Sequence, residues 1–218
     1  RKEWQHYRKY PLIGLGITYT DYADNRIFCK CIGIYPNIQL PLLRREHLEW
    51  TLRIGNGVGF VNRKYKAPTD TLNPAISTNI NDFAIFMTDL RFKLDKHWNV
   101  QVGASFTHIS NAGFSQPNLG VNLAGAHFGL RYFPSTCTPE KKVNELPKLH
   151  NRWLLQMRGG VGFIQSRSPG HPKLPTYFGS VYASRRWRGK NKYFFGTDMA
   201  SCESNYAFLR MYELFPGK

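Results

Sequence analysis

The chain has 218 residues, a net charge of +16 and 15% aromatic residues, and its mean hydropathy is negative. That length suits one sizeable domain or one barrel, so a single domain over 1–218 is expected. No apolar run approaches the roughly 18 residues of a membrane-spanning helix, but a membrane β-barrel escapes hydropathy because each strand is only half apolar. The positive charge points to an anionic partner. The basic residues are scattered over almost every turn (Arg44-Arg45, Arg63-Lys64, Lys141-Lys142, Arg185-Arg186) and accompany no nucleic-acid motif, which favours phosphorylated lipid headgroups over nucleic acid. The sequence opens at Arg1 without a leader, as a mature chain would.

Period two runs through the whole chain, and no amphipathic helix stands out. The first run, 12–21, sets Ile13, Leu15, Ile17 and Tyr19 against Gly14, Gly16 and Thr18. A second reaches about Leu43, with Pro36 and Pro41 predicting a bulge or bend. The cleanest alternation is 48–60, with Leu48, Trp50, Leu52, Ile54, Val58 and Phe60 opposed by Glu49, Thr51, Arg53 and three glycines. A basic, Pro-containing loop (62–77) precedes a fourth run near 84–94. A fifth follows over 98–110, and a sixth over 119–133. After a long polar connection (134–151), a seventh run covers 153–163 and a Pro-Gly-rich loop covers 165–175. Three weaker runs near 176–187, 192–200 and 205–215 bring the expectation to ten strands.

The polar parity carries Glu49, Arg53, Asp89, Arg91 and Arg158. A soluble barrel core would pay a heavy desolvation cost for those charges, whereas a membrane barrel has a wet or ion-paired interior. Trp50, Trp98, Trp153, Trp187 and Tyr132 fall near strand ends on the short-turn side, as an interfacial girdle would. The expected fold is therefore all-β, an antiparallel up-and-down transmembrane barrel of about ten strands (8–12).

The segment His108-Ile-Ser110-Asn111-Ala112-Gly113, followed by Gln116-Pro117-Asn118, is the most suggestive of chemistry. Residues i and i+2 of a strand share a face, so His108 and Ser110 point the same way, roughly 6–7 Å apart. Their parity continues Trp98, Val100, Val102, Ala104 and Phe106, the apolar side. A nucleophile and base aimed into lipid make sense when the substrate is a lipid.

The segment 97–133 resembles the lipid A deacylase (PagL-like) family of outer-membrane β-barrel enzymes, which use a serine and a histidine in an H-x-S-N pattern. The resemblance implies ester hydrolysis on lipid A of lipopolysaccharide, in the bacterial outer membrane among its lipids. It implies Ser110 as nucleophile, His108 as general base, and Asn111 with the N–H groups of Ala112 and Gly113 as oxyanion donors. The family pattern has a glutamate twelve residues after the serine; this chain has Asn122 there. Asn122 shares its parity with Ala124, Ala126 and Phe128, and would lie across from His108 if the loop 111–118 pairs them. Asp82 is a competing acid, expected opposite Ser110 if the turn at 95–97 is tight.

Arg63, Lys64, Lys66, Arg167 and Lys173 are expected on the loop side of the site, in reach of lipid A phosphates. Neither a metal nor a cofactor is called for. Gly55-Asn-Gly-Val-Gly59 lies mid-strand with no following helix and is not a phosphate loop. His127 has interior parity and reads as structural. Cys29, Cys31, Cys137 and Cys202 lack zinc spacing; free thiols are favoured, with a bridge from Cys202 to Cys29 or Cys31 left open. The competing readings are a non-enzymatic outer-membrane barrel (a small pore or an inactive relative) and a soluble barrel carrying an apolar ligand.

Overall fold

The computed structural model describes residues 10–23, 27–134, 152–165, 169–187 and 191–211. They form two compact units, one of residues 1–111 and 119–146, the other of 112–118 and 147–218. The architecture is all-β and antiparallel, with nine strands and one short helix among the described residues.

The first unit is a six-stranded meander: β1 (Leu12–Asp21), β2 (Lys30–Arg44), β3 (Leu48–Val61), β4 (Ile80–Lys93), β5 (Trp98–Ser110) and β6 (Val121–Tyr132), each paired with the next. The expected bulge is present in β2, where the register shifts between Pro41 and Leu43. The turns at 45–47 and 94–97 close one end of this sheet; the longer connections 22–29, 62–79 and 111–120 share the other. At the 94–97 turn, Asp95 accepts the N–H groups of His97 (2.6 Å) and Trp98 (2.8 Å).

Alternation sorts the side chains onto two faces. Outward stand Ile13, Leu15 and Ile17, each about 70% exposed, continued by Trp50, Val58, Phe60, Phe86, Trp98, Val102 and Phe106. An apolar face of this extent is not left to water. The inner face has two zones. Towards the long loops it is apolar, with Cys31, Tyr35, Phe83, Ile85 and Ile109 buried and Tyr35 stacked on Phe83. Towards the short turns it is ionic: Arg91 reaches Asp89, Glu49 and Gln39, Arg131 also reaches Gln39, and His127 donates to Asp89 at 2.7 Å. Asp89 and Arg91 are almost wholly buried, where an unpaired charge costs several kcal/mol, about 3–5 on loss of a partner. His127 is thus part of the scaffold.

The second unit is a three-stranded antiparallel sheet of β7 (Trp153–Gln165), β8 (Lys173–Trp187) and β9 (Asn191–Cys202), followed by α1 (Glu203–Met211). Two expectations are corrected here. The run placed at 205–215 as a tenth strand begins in a helix. Ala207, Leu209, Arg210 and Met211 are strong helix formers, Glu203 lies in the first turn and Arg210 in the last, as the helix dipole favours. The loop placed at 165–175 is shorter, because β8 already begins at Lys173 and pairs it with Gln165. Cys29, Cys31 and Cys202 are free thiols, with no bridge among them; Cys137 and Arg167 lie outside the described residues. No helix among the described residues is long and apolar enough to cross a membrane, which says nothing of strands.

Candidate active site

The site is built where β4, β5 and β6 meet the long connections. The loop 62–79 braces it from below. Asn73 accepts the N–H groups of Ala75 and Ile76, folding those two residues into the core. From that footing Ala75 O accepts the N–H of Gly120 (3.0 Å), and Ser77 Oγ accepts from the Asn111 amide (3.0 Å). Both ends of the 111–120 connection are therefore tied to the same loop, which fixes the end of β5.

On the outward face, β5 and β6 bring three side chains into a row. His108 and Asn122 are cross-strand partners, and Asp82 and Ser110 are partners on the other side of β5. His108 Nε2 lies 3.0 Å from Ser110 Oγ, and His108 Nδ1 lies 2.7 Å from Asn122 Oδ1. Because the asparagine presents its oxygen, Nδ1 carries the proton and Nε2 is left to accept from the serine hydroxyl. Ile109, between the pair, is fully buried beneath it, so the strand cannot rotate to separate them. His108 and Ser110 are half-buried, and Asn122 is exposed.

The remaining expected residues divide by location. Asp82 lies opposite Ser110, but its carboxylate accepts from Asn56 Nδ2 at 3.0 and 3.2 Å, and its side of Ser110 is the one away from β6. The Asn111 side chain takes inward parity, is buried and bonds Ser77. Ala112 and Gly113 both hold positive φ (55° and 79°), a conformation uncommon for alanine. Within the second unit, the segment 112–118 is clamped by Gln165: its N–H donates to Gly113 O (2.9 Å), its side-chain oxygen accepts from Gln116 N–H (2.7 Å), and its amide donates to His171 O (2.7 Å). Arg63 is committed to Asp70 at 2.6 Å, while Lys64 and Lys66 form no ion pair among the described residues. Lys173 sits over the Phe114 ring, 3.3 Å from its centroid. No group of His, Cys, Asp or Glu among the described residues is arranged to hold a metal.

Gly120 was not anticipated. Its φ is +70°, and a Cβ there would stand 3.1 Å from His108 Cε1 and 3.5 Å from Ser110 Cβ. A glycine lets the backbone cross directly against the imidazole. The only sequence signal is a glycine next to the strand that carries Asn122.

The fold is all-β and antiparallel, and it carries the Ser–His–Asn row on an exposed strand face. The lipid A 3-O-deacylase (PagL) family matches residues 1–131, and the chain belongs to that family. No curated protein and no solved structure matches the chain.

Proposed function

We propose that this protein is an outer-membrane serine esterase that hydrolyses the 3-O-linked acyl ester of lipid A. The observation that carries the reading is the continuous row Ser110–His108–Asn122, with contacts of 3.0 and 2.7 Å, on an outward apolar strand face. His108 Nε2 takes the proton as Ser110 Oγ attacks the ester carbonyl. The protonated imidazole then delivers that proton to the departing sugar hydroxyl, leaving an acyl-serine. Water, deprotonated by the same nitrogen, releases the fatty acid and restores Ser110. Asn122 Oδ1 keeps the imidazole in the productive tautomer throughout, as the amide does in Cys-His-Asn proteases. It does so without the charge that a carboxylate would set against imidazolium.

The main-chain N–H groups of Ala112 and Gly113, two and three residues beyond Ser110, are the proposed oxyanion donors. Lys64 and Lys66 are the proposed phosphate contacts on the loop side, since Arg63 is already paired. The outward apolar face supplies a lipid-exposed surface over which an acyl chain can lie without leaving the membrane, and the whole chain is read as one barrel domain. Treatment of the detergent-solubilised protein with a fluorophosphonate ester tests the reading. Covalent mass addition at Ser110 in the wild type, and its loss in His108→Ala, is expected; no adduct, or an adduct that survives His108→Ala, contradicts it.

A further inference from the structure

The ionic zone on the inner face of the first unit carries more positive charge than its own carboxylates answer. Arg53, Arg91 and Arg131 stand within electrostatic reach of one another, with Glu49 and Asp89 as the nearby carboxylates. Asp89 also serves His127, and Glu49 also holds Arg44 at 2.6 Å. Arg91 meets both carboxylates only at 3.5 Å. Among the described residues neither Arg53 nor Arg131 pairs with a carboxylate: Arg53 reaches Met87 Sδ at 3.7 Å, and Arg131 lies over the Phe133 ring. What the three guanidiniums share is one neutral oxygen. Gln39 Oε1 accepts from Arg91 at 2.8 Å and from Arg131 at 3.4 Å, and Gln39 is the cross-strand partner of Arg53. The Nε–H groups of Arg53 and Arg91 are buried without an acceptor. Arginine does not lose its proton in proteins, so three cations face two shared carboxylates and leave donors unfilled, which is costly in an enclosed site.

We propose that this zone binds one small monovalent inorganic anion, of halide size, beside Gln39 and between Arg53, Arg91 and Arg131. One negative charge matches the surplus, and the ion accepts from the two unfilled Nε–H groups, which the amide oxygen of Gln39 leaves unserved. Water would fill those donors but not the charge. The seat is enclosed, with Arg91 only 2% exposed, and desolvation penalises a doubly charged ion more than a singly charged one. Gln39, Arg53, Arg91 and Arg131 stand on β2, β3, β4 and β6, so a bound anion ties four strands together. The zone lies towards the short turns, at the opposite end of the sheet from Ser110. Its effect is therefore on stability and is independent of the hydrolytic cycle.

The test follows the thermal unfolding midpoint of the full chain in a nonionic detergent, in sodium chloride and in sodium gluconate of equal ionic strength. Chloride is the probe, and gluconate is a bulky monovalent control. Wild type should unfold about 3–6 °C higher in chloride at roughly ten times its Kd, with a saturable dependence on concentration. Arg53→Met should lose the difference between the two salts. Arg45→Met, which removes an equal charge from an exposed turn, should keep it. Gln39→Glu supplies the missing negative charge from the chain itself, so it should be at least as stable as wild type in gluconate and indifferent to chloride. Equal midpoints of wild type in the two salts mean that water alone fills the zone, and overturn the proposal. So does a chloride response that survives in Gln39→Glu, or one that disappears equally in Arg45→Met, as general screening of a basic chain would give. If Arg53→Met fails to fold, Gln39→Glu decides alone: a variant that fails to fold, or that is less stable than wild type in gluconate, rejects the site.

Discussion

Asn122 occupies the position where the family pattern has a glutamate, and replacing it is the most informative perturbation of the site. Asn122→Leu keeps the size and removes the acceptor that lies 2.7 Å from His108 Nδ1. The lost hydrogen bond is worth about 0.5–1.5 kcal/mol, and without it nothing keeps the ring proton off Nε2, where it blocks the base. Together these lower turnover about 5- to 30-fold. The loss is smaller than the roughly 10⁴-fold seen when a buried triad carboxylate is neutralised, because here a neutral, exposed amide is removed. Asn122→Glu restores a charge opposite the developing imidazolium; charge-assisted bonds are about twice as strong, so turnover should rise by up to about tenfold. The assay is fatty-acid release per folded protein, quantified by mass spectrometry with the fold checked by circular dichroism. Turnover of the Asn122→Leu variant within about twofold of wild type, or turnover of Asn122→Glu below that of Asn122→Leu, would refute the tautomer role.

Gly120→Ala forces a side chain into φ +70° and to 3.1 Å from the imidazole; the strain of about 1–2 kcal/mol should appear as a lower unfolding midpoint, and displacement of His108 as at least a tenfold fall in turnover. Spin labels at positions 102 and 104 should be accessible to oxygen in bilayers and labels at 101 and 105 shielded; the reverse pattern removes the lipid-facing assignment. The N–H groups of His97 and then Trp98 hold the Asp95 carboxyl below its ordinary value. Its stabilising effect is thus present above the unfolded aspartate value, about 3.9, and is lost as pH falls through the lowered folded one. Unfolding midpoints measured downward from pH 5 should fall less steeply in Asp95→Ala than in the wild type, and parallel curves would exclude the effect.

Strand positions in the first unit were readable because a half-buried sheet imposes strict alternation. Trp98 to Phe106 and Leu48 to Phe60 each separate cleanly into two parities, and the pairing of His108 with Asn122 follows from parity and loop length. Pro41 announced its bulge. Other features depend on contacts between residues far apart in the chain. Nothing local says that Asn73 folds Ala75 and Ile76 under the site, or that Gly120 lies against the ring of His108. Asp82 was readable as a neighbour of Ser110, but its amide partner Asn56 comes from a strand 26 residues earlier. Near the C-terminal end of the described residues, Tyr206 and Phe208 mimic period two, while the helix-forming residues around them set the local structure over Glu203–Met211. Pro172 and Pro175 make Lys173 read as a loop residue, yet proline is tolerated at strand starts, and Lys173 pairs with Gln165.

The most direct measurement of the central claim is the mass of lipopolysaccharide before and after incubation with the protein in mixed micelles. Wild type should convert lipid A to a species lighter by one hydroxyl-linked acyl chain, with the matching free fatty acid appearing in equal amount. Ser110→Ala, folded by circular dichroism, should lose several powers of ten in that conversion. A wild type that leaves the mass unchanged, or a Ser110→Ala variant retaining more than about a tenth of wild-type turnover, would contradict the account.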